Sequence, residues 1–451
     1  MNEPIVAIST ALGVGAISII RISGEEIVSK INKVFKGTDL TKVASHTIHY
    51  GHIVYKEEII DEVLVTIMKA PKTFTKEDVI EINCHGGIAP TKKVLEIILS
   101  LGIRMALPGE FTKRAYLNGR IDLIEAENIM DLINTKSESA RKLAINAVNG
   151  NITNLIVKLR EKLLNVIANI EVNIDYPEYE DIEEMTLSLL KDNLKEIEKE
   201  LINLVKESSN SKIIKDGINV AIIGRPNVGK SSILNKLINE EKAIVTNTPG
   251  TTRDIVEGST TIDGFIVNFL DTAGIRETSN LIEKLGVNKS LSMIENVDLI
   301  ILVLNNNEAL EKDDIEIIER LKNKNVITVI NKIDLVQKID ISSMNLTNIV
   351  YCNTLSFDGI KTLKDKIKEL FNLDLINNGD FNYLTNTRQI AKANEALELL
   401  NDIKVSILNN QVLDIIEIDI KKIWDLLGEI IGISYDEELL DALFSKFCLG
   451  K

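Results

Sequence analysis

The chain has 451 residues, 45% of them hydrophobic and 26% charged, a length for about three domains and a composition for ordinary soluble cores. Aromatic residues make up only 4%, so those cores are built mainly from Ile, Leu and Val. A formal net charge of -15 argues against gripping nucleic acid by bulk electrostatics. Three scattered cysteines (Cys84, Cys352, Cys448) without CxxC spacing argue against a disulfide framework or a zinc site.

The uncharged stretch from Pro4 to Ile20 follows Glu3, lacks a basic flank and is broken at Gly13 and Gly15. It reads as two strands around a turn, neither a leader nor a membrane span, and a cytoplasmic location is expected. Residues 1–118 mix strand-like runs (Ile5–Ser9, Ile17–Ser23, Val63–Met68, Val79–Asn83) with a helix near Lys92–Leu101, an α+β pattern. From Ile121 the pattern turns helical, with Leu155, Leu159, Leu163, Val166 and Ile170 at spacings of three and four. Asp175-Tyr176-Pro177-Glu178 interrupts it. A second amphipathic run, Leu187–Val205, is expected to end in the Ser-Ser-Asn-Ser stretch at 208–211.

Short β-branched runs alternating with helical segments then indicate a parallel sheet covered on both faces, and the helical pattern resumes towards Lys451. The expected fold class is α/β and α+β multidomain. An N-terminal α+β domain spans 1–118, a discontinuous helical domain spans 119–214 and 379–451, and a Ras-like P-loop G domain, 215–378, is inserted in it.

Gly224-Arg225-Pro226-Asn227-Val228-Gly229-Lys230-Ser231 fits the P-loop pattern, between the strand Val220–Ile223 and the helix Ser232–Ile238. Glycines let backbone N–H groups turn inward around phosphate oxygens, and the helix N-terminus adds a favourable dipole. Lys230 would reach the β- and γ-phosphates, Ser231 would ligate Mg²⁺, and Asn227, Val228, Gly229 and Ser232 would complete the phosphate cradle. Asp271-Thr272-Ala273-Gly274 follows an apolar strand, where an acid holds Mg²⁺ through water and the Gly274 amide senses the γ-phosphate.

Asn331-Lys332-Ile333-Asp334 follows another strand. The carboxylate of Asp334 can accept from both N1–H and the 2-amino group of guanine. Adenine would leave that charge unpaired, so the base is guanine. Thr251-Thr252-Arg253-Asp254 stands where a switch threonine completes the Mg²⁺ shell. The position after Gly274, a water-orienting glutamine in Ras-like proteins, is Ile275, so another residue must orient the water.

Together with these motifs, IIRISG (19–24), EDVIEINCHGG (77–87), PGEFTKRAYLNGRIDLIEAE (108–127), TPGTTRD (248–254), DTAGIRE (271–277) and FSKFCLGK (444–451) make the chain resemble the MnmE (TrmE) family along nearly its whole length. The resemblance implies a cytoplasmic homodimer paired through its N-terminal domain, in a heterotetramer with the flavoprotein MnmG (GidA), which carries FAD and takes NADH. It implies modification of C5 of the wobble uridine of certain tRNAs, with 5,10-methylenetetrahydrofolate as one-carbon donor, and no membrane. It also implies GTP hydrolysis that needs potassium and pairing of G domains.

By motif match Arg21, Glu81 and Arg120 fall where the family binds folate, a carboxylate suiting the pterin N–H pair and arginines the glutamate carboxylates of folate or the pterin carbonyl. Glu283 matches the glutamate that orients the attacking water, and Cys448 the terminal cysteine. Asn227 matches the potassium ligand, with Thr246, Thr248 and Thr251 as its neighbours. Lys76 stands where the family usually has glycine, and Cys352-Asn353-Thr354-Leu355 replaces the usual Ser-Ala beside the base, which implies weaker affinity with guanine specificity kept. The alternative is a regulatory GTPase of ribosome assembly, which would carry a KH-type GXXG module or a second P-loop; the sequence has neither.

Overall fold

A computed structural model of the protein describes residues 3–175, 187–239, 256–270, 297–322, 324–342, 344, 346–356, 359–377, 379, 381–433, 437–447 and 450. Thr246, Thr248, Thr251, Thr252, Asp271, Thr272, Ala273, Gly274, Glu283 and Cys448 lie outside the described residues. The chain divides into two compact units: Met1–Met130 with Ala147–Lys199 and Ala391–Lys451, and Asp131–Asn146 with Glu200–Ile390.

The first unit holds a seven-stranded sheet of β1 (Ile5–Ile8), β2 (Ile17–Ser23), β3 (Phe35–Gly37), β4 (Thr47–Tyr55), β5 (Glu58–Met68), β6 (Val79–His85) and β7 (Arg104–Met105). Its order is β3-β4-β5-β6-β2-β1-β7, antiparallel throughout except for the parallel β1–β7 pair. Alternation along the strands gives each face its own set of side chains. Ile20, Ile22, Val63, Val65, Ile80 and Ile82 are buried with Ile27 and Ile31 of the helix Ile27–Asn32 and Val94 and Ile98 of the helix Ile88–Ser100. On the other set, Phe111 of the helix Glu110–Leu117 closes a small core with Ile5, Ala7 and Ala106. Further out, Ile48, Tyr50 and Leu64 are 63%, 59% and 42% exposed.

In the same unit the helix Asn151–Asp175 packs on the helix Leu413–Ile431, far away in sequence. The Arg160 guanidinium lies 3.9 Å from the Trp424 ring centroid and Lys421 pairs with Glu171 at 2.7 Å. The next helix corrects an expectation: it runs unbroken from Leu187 to Asp216, through the serine stretch expected to end it. Serines compete with the helix by bonding backbone groups, but here they bond within it. Ser208 Oγ donates to Leu204 O and Ser211 Oγ to Ser208 O, each at 2.6 Å, so both buried hydroxyls are satisfied without a break.

The second unit holds a six-stranded sheet of β8 (Ile218–Ile223), β9 (Val256–Ile262), β10 (Phe265–Leu270), β11 (Leu299–Asn305), β12 (Val326–Asn331) and β13 (Ile349–Cys352). The order is β13-β12-β11-β8-β10-β9, parallel except for the antiparallel edge strand β9. Every residue of β11 is buried, as a sheet covered on both faces requires. Residues 131–146 join this unit, with Ala140 and Leu143 in one core with Ile214 and Phe265.

Candidate functional site

β8 stops at Ile223 and the helix Lys230–Asn239 begins seven residues later, so the P-loop is the connection between them. Gly224 has φ +147° and Gly229 φ +106°, backbone that side chains rarely adopt. A Cβ on Gly224 would strike Val303 O, and one on Gly229 would strike Asn331 Nδ2. Glycine is thus needed for close approach as well as for conformation, and Asn227 adds a third left-handed residue at φ +63°.

Lys230 Nζ donates to Gly224 O at 2.8 Å and to Arg225 O at 2.7 Å. Burial pushes its pKa below the ordinary lysine value, and among the described residues no carboxylate pairs with it. A half-desolvated ammonium held only by carbonyls, beside a helix N-terminus, is arranged to take an anion. Arg225, by contrast, is neutralised: it meets Glu308 at 2.9 Å, Glu311 at 2.5 Å and Asp314 at 2.8 Å. Glu311 and Asp314 form the capping box of the helix Lys312–Arg320.

Asn331 ties the base loop to the phosphate loop. It is fully buried, and its Nδ2 donates to Val228 O at 2.8 Å. Its Oδ1 is buried without a partner among the described residues, the kind of acceptor that a bound donor satisfies. Lys332 follows at φ +63°, and Asp334 is exposed at the rim. Ile333 N–H reaches Cys352 O at 3.4 Å, which brings the 352–355 loop alongside. There Asn353 Oδ1 accepts Leu355 N–H at 2.9 Å, and burial pushes the Cys352 thiol up to about 11. The residues present therefore fit a guanine nucleotide. Ser231, in the first turn of its helix, carries a hydroxyl that could ligate Mg²⁺, and the exposed Asn227 a neutral oxygen that could ligate a monovalent cation.

In the other unit Arg21 and Glu81 are register partners on β2 and β6. Arg21 Nε and Nη2 both meet Glu81 Oε1 at 2.8 Å, with each side chain 22% exposed. The Arg21 guanidinium lies 5.9 Å from the Phe111 ring centroid, and that of Arg120 lies 5.0 Å from Phe74. Phe74 packs against the small core that holds Phe111, so Arg21 with its partner Glu81, and Arg120, all lie around that core.

Sequence reading did not assign the network that holds this corner. Arg114, 4% exposed, donates through Nη1 to both oxygens of Glu77 at 3.0 and 3.1 Å and through Nη2 to Glu110 at 3.0 Å. Burial raises the pKa of Glu110, but bonds from Arg104, the Leu107 N–H and Arg114 outweigh it and hold the carboxyl at about 2. The signal was present, since Glu110 and Arg114 lie one helical turn apart in the EFTKR run.

A model described as the GTP-binding protein TrmE N-terminus matches residues 4–120, and one described as the MnmE helical domain matches residues 123–448. A protein named tRNA modification GTPase MnmE from Bacillus cytotoxicus is 46% identical over 455 residues, covering 100% of this chain and 99% of its own. The chain belongs to the MnmE family of tRNA modification GTPases. The MnmE of Bacillus mycoides matches to the same extent, at 46% identity over 455 residues. A crystal structure of Era in complex with MgGDPNP and nucleotides of 16S ribosomal RNA is 32% identical, covering 34% of this chain and 56% of that chain at a TM-score of 0.28.

At Lys76, where the sequence reading expects glycine in this family, the backbone has a glycine-like conformation. Lys76 takes the left-handed φ of +58° that a glycine would favour, and its Nζ donates to Gly119 O at 2.9 Å. The described residues of the FSKFCLGK stretch are docked within their own unit: Phe444 and Phe447 share a core with Leu123, and Ser9 Oγ donates to Gly450 O at 3.3 Å. Among the described residues no helix is long and apolar enough to cross a membrane.

Proposed function

We propose that this GTPase works with an MnmG-like flavoprotein to place an aminomethyl or carboxymethylaminomethyl group on C5 of the wobble uridine, position 34, of certain tRNAs. The one-carbon unit comes from 5,10-methylenetetrahydrofolate, while FAD and NADH belong to the partner. In the G domain Lys230 and the backbone of 227–232 hold the phosphates, and Thr272 and Ala273 take part in nucleotide binding. Ser231 and Thr252, with Asp271 through water, hold Mg²⁺, which offsets charge on the β- and γ-phosphates. Asp334 reads guanine and Glu283 orients the attacking water in place of Ile275. Cys448 is the candidate thiol at the modification site. The protein acts in the cytoplasm as a homodimer; the exposed apolar strip of Ile48, Tyr50 and Leu64 on β4 and β5 supports pairing through the N-terminal sheet.

The observation that supports the folate reading is the Arg21–Glu81 pair set against Phe111, with Arg120 on the Phe74 ring of the same small core. A flat pterin needs an apolar surface and a carboxylate for its N–H edge, and the half-buried Phe74 ring and Glu81 are the candidates for these roles. Calorimetry of the full chain with 5-formyltetrahydrofolate is expected to show binding, weakened about 30-fold or more by Glu81→Gln, which leaves donors at the pterin edge without a charged acceptor. Absence of heat from the intact chain at millimolar ligand would refute the folate reading.

A further inference from the structure

We propose that Asn306 is a positioning residue for guanine recognition, acting through the 332–335 turn to set where the Asp334 carboxylate stands. The proposal rests on the reading of Asp334 as the base-recognising group. Asn306 lies just past β11 and is 5% exposed. Its N–H donates to Asn331 O at 2.9 Å, and its carbonyl accepts from Lys338 N–H at 2.8 Å and Ile339 N–H at 3.2 Å. Its side-chain Nδ2 donates to Leu335 O at 3.1 Å. One residue thereby closes both ends of the segment that carries Asn331, Lys332 and Asp334.

The fourth contact is the one that requires asparagine, since the other three use backbone groups that any residue supplies. Leu335 N–H already donates to Lys332 O at 3.0 Å, so with Asn306 both polar groups of Leu335 are fixed. Asp334, immediately before it, is exposed and takes its direction from that turn. Lys332 at φ +63° occupies a backbone region that persists only where surrounding contacts over-determine it. Two short hydrogen bonds to one base edge tolerate little displacement of the acceptor. The support is itself anchored: Glu308, two residues on, accepts from Asn305 Nδ2 at 2.6 Å and from Arg225 of the P-loop at 2.9 Å.

The test compares GDP with IDP, which keeps N1–H but lacks the 2-amino group, so their affinity ratio reads how well Asp334 is placed. Asn306→Asp keeps the volume but sets an acceptor against the Leu335 carbonyl; Asn306→Ala removes the contact. Both variants are expected to lose about tenfold in GDP affinity and less in IDP affinity, shrinking the ratio by roughly threefold or more. In an Asp334→Asn background, Asn306→Asp is expected to change the ratio by less than about a factor of two, since the two residues act as one unit. Equal losses for the two nucleotides, in whichever variant folds, would make Asn306 a mere fold support and overturn the proposal. Asp334→Asn alone separates the two claims. If it leaves guanine preference intact, the base reading fails. If it alters preference while the Asn306 variants keep the original ratio, only the Asn306 inference fails.

Discussion

Lys230→Ala is expected to reduce GTP turnover by about 10³-fold or more, with a smaller loss in nucleotide affinity. In the structure the ammonium is desolvated and bonded to the carbonyls of Gly224 and Arg225. It therefore holds the loop shut around the place where phosphate oxygens would lie. When the bond to the γ-phosphate breaks, negative charge moves to the bridging oxygen, and a fixed cation there stabilises the transition state more than the ground state. Arg225 cannot replace it, because three carboxylates already engage its guanidinium. Single-turnover hydrolysis and equilibrium binding separate the two effects. A variant that binds more weakly but turns over normally once saturated would contradict this role.

Turnover is also expected to be about 10²- to 10³-fold faster in potassium chloride than in sodium chloride at equal ionic strength, in the range of rate that a missing arginine finger leaves to be supplied. Ile275 replaces the Ras-type glutamine, and Arg225 is committed to Glu308, Glu311 and Asp314. A second positive charge near the phosphates, beside that of Lys230, is proposed to come from a monovalent cation. Asn227, exposed and held at φ +63° at the mouth of the P-loop, is the proposed ligand, and Thr246, Thr248 and Thr251 are proposed as further ligands on the family resemblance. Neutral oxygens suit the larger ion, whose dehydration is easier. Asn227→Ala should flatten the response to potassium while leaving Mg²⁺-dependent nucleotide binding within a few-fold of the original. Equal rates in the two salts would remove the potassium mechanism while leaving the family assignment intact.

The readable parts of the fold were those in which neighbours in sequence do the chemistry. The P-loop lies at a strand–helix junction because glycines at 224 and 229 allow backbone that nothing else does, and that is written locally. Arg21 and Glu81 are sixty residues apart, and only the register of β2 on β6 makes them partners; resemblance to a family supplied what local pattern could not. The helix across 208–211 was misread because serine is judged a breaker by composition, while burial decides whether its hydroxyl turns back on the helix. The edge strand β9 was passed over, since its Val-Glu-Gly-Ser-Thr-Thr-Ile sequence contains a glycine and few apolar residues. Asn306 carries no signal at all in the sequence, because its partners lie around thirty residues away and three of its four bonds use the backbone.

The most direct test is mass analysis of wobble uridines in tRNA from cells lacking this protein, alongside cells complemented with the intact chain and with Lys230→Ala. Loss of the aminomethyl-type groups on C5 is expected, with restoration by the intact chain and none by Lys230→Ala. Unchanged wobble uridines together with accumulating ribosome-assembly precursors would contradict it.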